Sequence, residues 1–275
     1  MHAAQFVSES RSPSGASCGS NPSVREPMAE ESGPGHIVAM GGGGFSMEPD
    51  NPLLDDFVLS LSRRQPARVC FLPTASGDAA THIARFYRAF SGRCIPTDLT
   101  LFDSALPRQP ARASDLPAFL AEQDVFYVGG GNTANLIAVW RAHGLDALLR
   151  DAWLGGAVLG GVSAGMLCWF QGGVTDSFGS LEPFAGGLGF LRGSACPHYE
   201  GEPGRRPAYH RAVAEGMPGG YAADNCAALH FRGADLVEVV SSRSWAGAYR
   251  VERVQGEVVE TRLPVRFLGS SRGGR

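Results

Sequence analysis

The chain of 275 residues is 44% hydrophobic and 19% charged, which is enough apolar sequence to bury the core of one globular domain. Its net charge of −3 gives no electrostatic reason to expect binding to nucleic acid or to an anionic membrane surface. All 24 basic residues are arginine, and the absence of lysine excludes Schiff-base chemistry, a Ser-Lys dyad and a P-loop lysine.

The six cysteines are scattered through apolar stretches, and no two of them form a C-x-x-C pair. This pattern predicts buried free thiols in a reducing compartment rather than a disulfide framework. No apolar run approaches the ~18 residues of a membrane-spanning helix, and no apolar segment of a secretory signal follows the N terminus. We therefore expect a cytoplasmic protein without a membrane partner. The histidine and cysteine spacing matches no zinc motif, so we expect neither a metal nor another cofactor.

Both ends of the chain differ in composition from its centre. Residues 1–34 are rich in Ser, Gly, Pro and Glu and lack periodic apolar positions, which predicts a disordered tail. Residues 270–275 are expected to be frayed. Between them, residues 35–269 are predicted to form a single α/β domain.

Short apolar runs alternate with helical patterns through the first half of this domain. Predicted strands lie at His36–Met40, Arg68–Pro73, within Cys94–Phe102, at Asp124–Val128 and at Ala157–Gly160. Predicted helices lie at Ala79–Phe90, Thr133–His143 and Leu145–Trp153. Strands that alternate with helices predict a mostly parallel sheet covered on both faces.

The pattern changes after residue 219, where short strands follow one another through tight turns. They lie at 221–223, 227–231, 236–240, 248–251 and 257–262. We expect these strands to form an antiparallel extension at one edge of the sheet.

The segment Gly161-Val162-Ser163-Ala164-Gly165 matches the G-x-S-x-G motif. It follows a predicted strand and precedes the apolar run Met166–Phe170, which is expected to be helical. In that context a sharp turn exposes the serine hydroxyl, and the N–H of Ala164 is the natural donor to an oxyanion. The alternative is that glycine and serine mark an ordinary turn in a glycine-rich chain.

A second glycine cluster, Gly129-Gly130-Gly131-Asn132-Thr133, also follows a strand and opens a helix. Its N–H groups are suited to supplying a second oxyanion donor or to holding a substrate carboxylate, which makes Asn132 a candidate substrate contact. Neither the dinucleotide-binding nor the P-loop pattern is satisfied here.

A serine nucleophile needs a histidine base and a group that orients the base. Of the seven histidines, His198 stands out because Pro197 fixes the backbone before it and an extended segment leads to it. The other six are expected to be structural. Three carboxylates remain open as the orienting acid, namely Asp176, Glu182 and Asp224.

The segments Gly129–Thr133, Gly161–Gly165 and Pro197-His198, in this order, resemble peptidase E, the family of aspartyl dipeptidases and cyanophycinase-like serine peptidases. The resemblance covers residues 36–251 and implies a glutamine-amidotransferase-like α/β fold. It implies Ser163 as nucleophile, His198 as base, and Gly130 and Ala164 as the oxyanion hole. Asp176 matches the acid by its interval before the histidine, with Glu182 as the alternative.

The resemblance also implies a small peptide substrate, such as a dipeptide with an N-terminal Asp. We expect the enzyme to be a monomer or a homodimer, and the sequence leaves both open. Such a substrate needs a cation for its carboxylate, and Arg205, Arg206 and Arg211 follow the histidine closely. The alternative for these arginines is a solvated helix face. The alternatives for the chain are an amidase-like hydrolase on the same fold and a catalytically silent small-ligand-binding domain.

Overall fold

A parallel sheet forms the centre of the molecule. The computed structural model describes residues 33–102 and 116–269, so nearly all of the predicted tail and the predicted frayed C terminus lie outside it. The first five strands are β1 (His36–Met40), β2 (Arg68–Leu72), β3 (Ile95–Asp98), β4 (Val125–Val128) and β5 (Val158–Val162). They lie side by side in the order β1-β5-β4-β2-β3, all parallel. Because both faces are covered, β4 and β5 are buried throughout, which explains their uninterrupted apolar sequences.

Helices cover both faces of this sheet. They are α1 (Gly44–Met47), α2 (Leu53–Ser60), α3 (Ala80–Phe90), α4 (Leu116–Ala121), α5 (Thr133–His143), α6 (Leu145–Leu154), α7 (Ala164–Leu167) and α8 (Arg205–Ala214). One face is packed by α4, α5 and α6 around Trp140 and Leu149. The other is packed by α1, α2 and α3 around Phe45, Val58 and Phe86. The predicted α/β class is confirmed.

The later strands divide between two sheets. They are β6 (Phe170–Thr175), β7 (Glu182–Phe184), β8 (Leu191–Cys196), β9 (Gly220–Ala223), β10 (Ala227–Arg232), β11 (Asp235–Ser241), β12 (Ala248–Val254), β13 (Glu257–Arg262) and β14 (Val265–Phe267). Strand β10 is antiparallel to β1, β11 is antiparallel to β10, and β14 follows at the edge. The other strands form a second, mixed sheet in the order β13-β12-β9-β8-β6-β7. The predicted antiparallel extension therefore exists as β10 and β11, whereas β9, β12 and β13 belong elsewhere, because alternation predicts a strand but not its partner.

The helix after the G-x-S-x-G motif is shorter than predicted. Helix α7 ends at Leu167, and Phe170, which was expected to be helical, already belongs to β6. There it pairs with Leu191 of β8. A short apolar run fits a buried strand as well as a helix, so its period alone could not separate the two.

The thiols behave as predicted in the described part of the chain. Cys70, Cys94, Cys168, Cys196 and Cys226 are free and buried, while Cys18 lies outside the described residues. Within the same ranges no helix is both long and apolar enough to cross a bilayer.

A histidine pair lies at the start of β1. His36 Nδ1 and His230 Nε2 are 2.9 Å apart, and Glu238 lies 3.6 Å from the other nitrogen of His230. Burial, then the neighbouring His230 and arginines, lowers the pKa of His36 from 6.5 to about 4. Burial also lowers the pKa of His230. Both histidines therefore bind a proton less readily in the folded protein than in the unfolded chain.

We expect the protein to lose stability as the pH falls from about 6.5 towards 4. The unfolded chain binds protons at these histidines in that window, and the folded chain does not. The measurement is the urea midpoint at pH 7.5 and pH 5. The loss should be smaller in His36→Asn, whereas His143→Asn, an exposed control on α5, should behave like the wild type. An equal loss in all three proteins would contradict this account.

Candidate active site

Three loops meet at the carboxyl edge of the parallel sheet. The glycine loop Gly41–Gly44 follows β1, the second glycine cluster follows β4, and Ser163 follows β5. Strand β5 lies between β1 and β4, with Val162 beside Met40 and Gly161 beside Val128. The sheet order therefore brings the two glycine-rich segments to either side of Ser163.

Ser163 occupies a strained turn between β5 and α7. Its φ of 59° and ψ of −108° are uncommon for a residue with a side chain. The turn is held because the Ser163 N–H donates to the Met40 carbonyl at 3.0 Å. Gly165 permits the close packing behind it, since a Cβ at that position would lie 2.6 Å from the Val128 carbonyl oxygen. This geometry presents the hydroxyl at the sheet edge, as the motif predicts.

His198 reaches Ser163 from the second sheet. It follows β8 with φ of 56°, and its N–H donates to the Gly41 carbonyl at 3.0 Å. Its Nε2 lies 2.8 Å from Ser163 Oγ, and the residue is 8% exposed. A hydroxyl hydrogen-bonded to a sheltered imidazole is the arrangement that general-base activation requires.

Asn225 lies on the far side of the imidazole. Its Oδ1 is 2.6 Å from His198 Nδ1. Because Nε2 accepts from the serine hydroxyl, the proton of the neutral ring lies on Nδ1 and is donated to the amide oxygen. Asn225 is held by a bridge to Gly42 of the glycine loop. Ser163, His198 and Asn225 therefore form a continuous hydrogen-bonded chain.

The three candidate carboxylates lie elsewhere. Asp176 is 59% exposed, and its Oδ2 lies 3.4 Å from Arg205. Glu182 is the first residue of β7 and pairs with Thr175 of β6. Asp224 accepts from the N–H groups of Gly247 and Glu200, and burial raises its pKa.

The structure thus places no predicted acid against His198. Asp176 comes at the predicted interval in the chain, but it follows the end of β6 and lies next to Arg205 of α8 instead of His198. Asn225 was not predicted because the group that orients a histidine base is usually a carboxylate. The signal was its position directly after Asp224, beyond the end of a strand.

The proposed oxyanion positions flank the serine. A Cβ added at Gly130 would lie 3.3 Å from Ser163 Cβ, so this glycine packs directly against Ser163. Ala164 is the first residue of α7, where backbone N–H groups have no acceptor within the helix. Both backbones therefore lie beside Ser163.

A model of peptidase family S51 matches residues 37–239. An uncharacterized peptidase of Bacillus subtilis (strain 168), YgaJ, is 54% identical over 235 residues, which cover 85% of this chain and 99% of that protein. The chain belongs to peptidase family S51. The S51 membership identifies it as a peptidase.

Two solved structures share the fold of this S51 peptidase. A peptidase from an acI-B1 Actinobacterium has a TM-score of 0.59 and 17% identity, covering 84% of this chain and 95% of that one. A putative peptidase E protein from Listeria monocytogenes EGD-e has a TM-score of 0.53 and 18% identity, covering 84% of this chain and 100% of that one. The predicted relationship to peptidase E is confirmed.

A cavity of about 240 Å³ opens beside Ser163 of the S51 peptidase. Its walls are mostly apolar and are formed by Phe45, Ser46, Met47, Phe71, Gly129, Gly130, Val162, Ser163 and His198. His82 and Arg85 of α3 complete it. Among the described residues that line the cavity, Arg85 has a permanent positive charge and none has a carboxylate. Arg85 is exposed and has no ion pair with another described residue.

The predicted substrate contacts lie outside this cavity lining. Arg205 is 4% exposed and is bound to Glu202, Asp176 and the Val174 carbonyl, which makes it part of the packing of α8. Arg211 lies in the last turn of α8.

Asn132 instead caps α5. Its oxygen accepts from the N–H of Asn135, and its nitrogen donates to the Ser177 carbonyl. The amide of Asn132 is therefore occupied at both ends. Among the described residues, Arg85 is the arginine that lines the cavity with Ser163. Sequence reasoning passed over it because helix α3 lies far from the motifs in the chain.

Proposed function

We propose that this S51 peptidase is a serine-type enzyme that cleaves short peptides through an acyl-enzyme on Ser163. The observation that carries the proposal is the hydrogen-bonded chain of Ser163, His198 and Asn225 at the mouth of the cavity. A hydroxyl, a base and a group that orients the base are the elements that nucleophilic acyl transfer needs.

In the proposed reaction Ser163 Oγ attacks the carbonyl carbon of the substrate while His198 Nε2 takes the hydroxyl proton. The N–H groups of Ala164 and Gly130 hold the negative oxygen of the tetrahedral intermediate. His198 then gives its proton to the leaving amine, and the ester to Ser163 remains. Water, deprotonated by the same imidazole, hydrolyses the ester and frees the serine.

Asn225 keeps the imidazole in the productive tautomer. An amide oxygen accepts the Nδ1 proton as a carboxylate does, but it carries no full charge. It therefore orients the base strongly and stabilises the imidazolium less than an aspartate would. The reaction depends on orientation and on the oxyanion hole more than on a buried negative charge.

The cavity supports a small substrate with an acidic group. A volume of about 240 Å³ holds one or two residues of a peptide rather than an extended polypeptide. Arg85 and His82 are suited to an anionic side chain, and Phe45 and Phe71 to its apolar stem. We therefore propose peptides with an N-terminal Asp as substrates, with Arg85 as the cation in place of Arg205 and Arg211.

Arg85→Ala should lower kcat/KM for an Asp-X dipeptide by about 10- to 100-fold, the effect of losing a hydrogen bond to a charged group. It should change kcat/KM for the matched Asn-X dipeptide by less than about threefold. The measurement is release of free amino acids from both substrates. Arg88→Ala removes an exposed arginine of the same helix and serves as the control.

Equal activity of the wild type towards Asp-X and Asn-X would remove the acidic preference and leave the serine mechanism standing. Loss of both activities in Arg85→Ala would assign a structural role to Arg85.

A further inference from the structure

A buried carboxyl lies beneath the glycine loop and takes no part in the mechanism above. Asp55 of α2 is 1% exposed, and its Oδ1 accepts a hydrogen bond of 2.8 Å from the hydroxyl of Tyr127 in β4. Tyr127 is itself fully buried. The backbone N–H of Phe45 also donates to this carboxylate. Asp55 thus accepts two hydrogen bonds, one from the sheet and one from α1.

The glycine loop lies directly on this pair. Gly44 has a φ of 59°, and a Cβ added there would lie 2.4 Å from the Tyr127 hydroxyl and 2.9 Å from Asp55 Oδ1. A side chain at Gly44 would therefore have to push the loop off the pair. The close approach holds the loop and the first residue after it, Phe45, in a fixed position over the sheet.

The same loop contacts the catalytic groups. The Gly41 carbonyl accepts from the His198 N–H at 3.0 Å, and Gly42 forms the bridge to Asn225. Three residues further on, Phe45, Ser46 and Met47 form a wall of the cavity beside Ser163. Asp55 is thus linked to the cavity wall by its hydrogen bond with Phe45, and to His198 by the glycine loop Gly41–Gly44.

We propose that Asp55 is a positioning residue that, as a carboxylate held by Tyr127 and Phe45, fixes the glycine loop and the cavity wall for substrate binding. Its two partners are both donors, so the ionised form satisfies both. The protonated form would place a further hydrogen among them and loosen the hold on α1.

Burial of Asp55, together with the charges around it, sets the pH at which the carboxylate is protonated. Asp55 faces Tyr127 on β4, the guanidinium of Arg93 after α3, and Asp56 on its own helix. Burial raises the pKa of Asp55 to about 6, against the lowering effect of Tyr127 and Arg93. As the pH falls through 6 the carboxylate is lost, and the loop should lose its anchor.

The activity test rests on the proposed function and compares three variants. Asp55→Asn should raise KM by about tenfold with a smaller change in kcat, and should remove one ionisation from the acid limb of kcat/KM. Tyr127→Phe keeps the ring and removes a donor to the carboxylate, so it should move that limb to higher pH. Ser60→Ala, at an exposed and uncharged position of the same helix, should leave the limb unchanged. A residue with a purely structural role would not move the limb in this pattern.

Hydrogen exchange tests the proposal without any turnover. In the wild type, amide protection in residues 44–47, corrected for intrinsic exchange, should fall several-fold between pH 7.5 and pH 5. In Asp55→Asn it should be low at both values, with the protection of β4 retained. Tyr127→Phe provides the same comparison if Asp55→Asn does not fold. Protection that is independent of pH in the wild type, or unchanged in both variants, would overturn the proposal even if the enzyme proves to be a serine peptidase.

Discussion

Ser163→Ala should reduce kcat/KM for peptide hydrolysis by at least about 10⁴-fold. The variant keeps the cavity, the glycine loops and His198, but it has no oxygen that can attack the carbonyl carbon. In serine peptidases the residual rate after such a change comes from binding and oxyanion stabilisation alone. The measurement is the release of amino acids from a dipeptide panel at saturating and limiting substrate concentrations.

Ser60→Ala is the matched control, because Ser60 is exposed at the end of α2 and its hydroxyl donates to the Phe57 carbonyl of the same helix. It should retain activity within about twofold. A Ser163→Ala protein that folds and hydrolyses the same dipeptides at more than a hundredth of the wild-type rate would exclude Ser163 as the nucleophile.

Asn225→Ala should lower kcat by about 10²-fold or more and change KM by less than about threefold. Removing the acceptor of the Nδ1 proton lets the imidazole rotate and adopt the unproductive tautomer, as in triads that lose their third member. The substrate cavity is not lined by Asn225, so binding should persist. The measurement is a steady-state kinetic comparison at pH 8.

Asn225→Asp refines this prediction because it replaces the amide by a carboxylate of the same shape. The variant should keep activity within about tenfold of the wild type at pH 8. A carboxylate stabilises the protonated imidazole and so raises the pKa of His198. As the pH is lowered, the variant should therefore lose activity at a higher pH than the wild type does. If Asn225→Ala has wild-type kinetics, the 2.6 Å contact with His198 does not contribute to catalysis.

The central sheet could be predicted from the sequence because each of its strands has a recognisable apolar pattern of its own. Strands β1, β2, β4 and β5 are short, mostly apolar runs between helical patterns, and this alternation is typical of a parallel sheet covered on both faces. The second sheet could not be predicted in this way. Strand β9 looks like β10 in sequence, yet it pairs with β8 and β12. That choice depends on contacts between segments far apart in the chain.

The same contrast applies to the candidate site. Ser163 carries its own local signal, because glycines on both sides permit the strained turn. His198 could be singled out by the proline before it and the extended segment leading to it. Asn225 and Arg85 reach the site on a loop and a helix that are remote in sequence from the motifs. The position of Asn225 after Asp224 and the end of β9 is a local signal for a loop residue, but it does not reveal the contact with His198. Asp176 was predicted as the orienting acid from its interval before His198 in the chain, but in the structure it lies against Arg205.

Covalent labelling tests the central claim most directly, because it requires an activated Ser163 and no knowledge of the substrate. The wild type, Ser163→Ala and His198→Ala are incubated with a small fluorophosphonate and analysed by intact mass and peptide mapping. We predict one adduct per wild-type chain, mapped to Ser163, no adduct in Ser163→Ala, and labelling slowed by at least about 10²-fold in His198→Ala. An unlabelled wild type, or an adduct that persists in Ser163→Ala, would contradict the account.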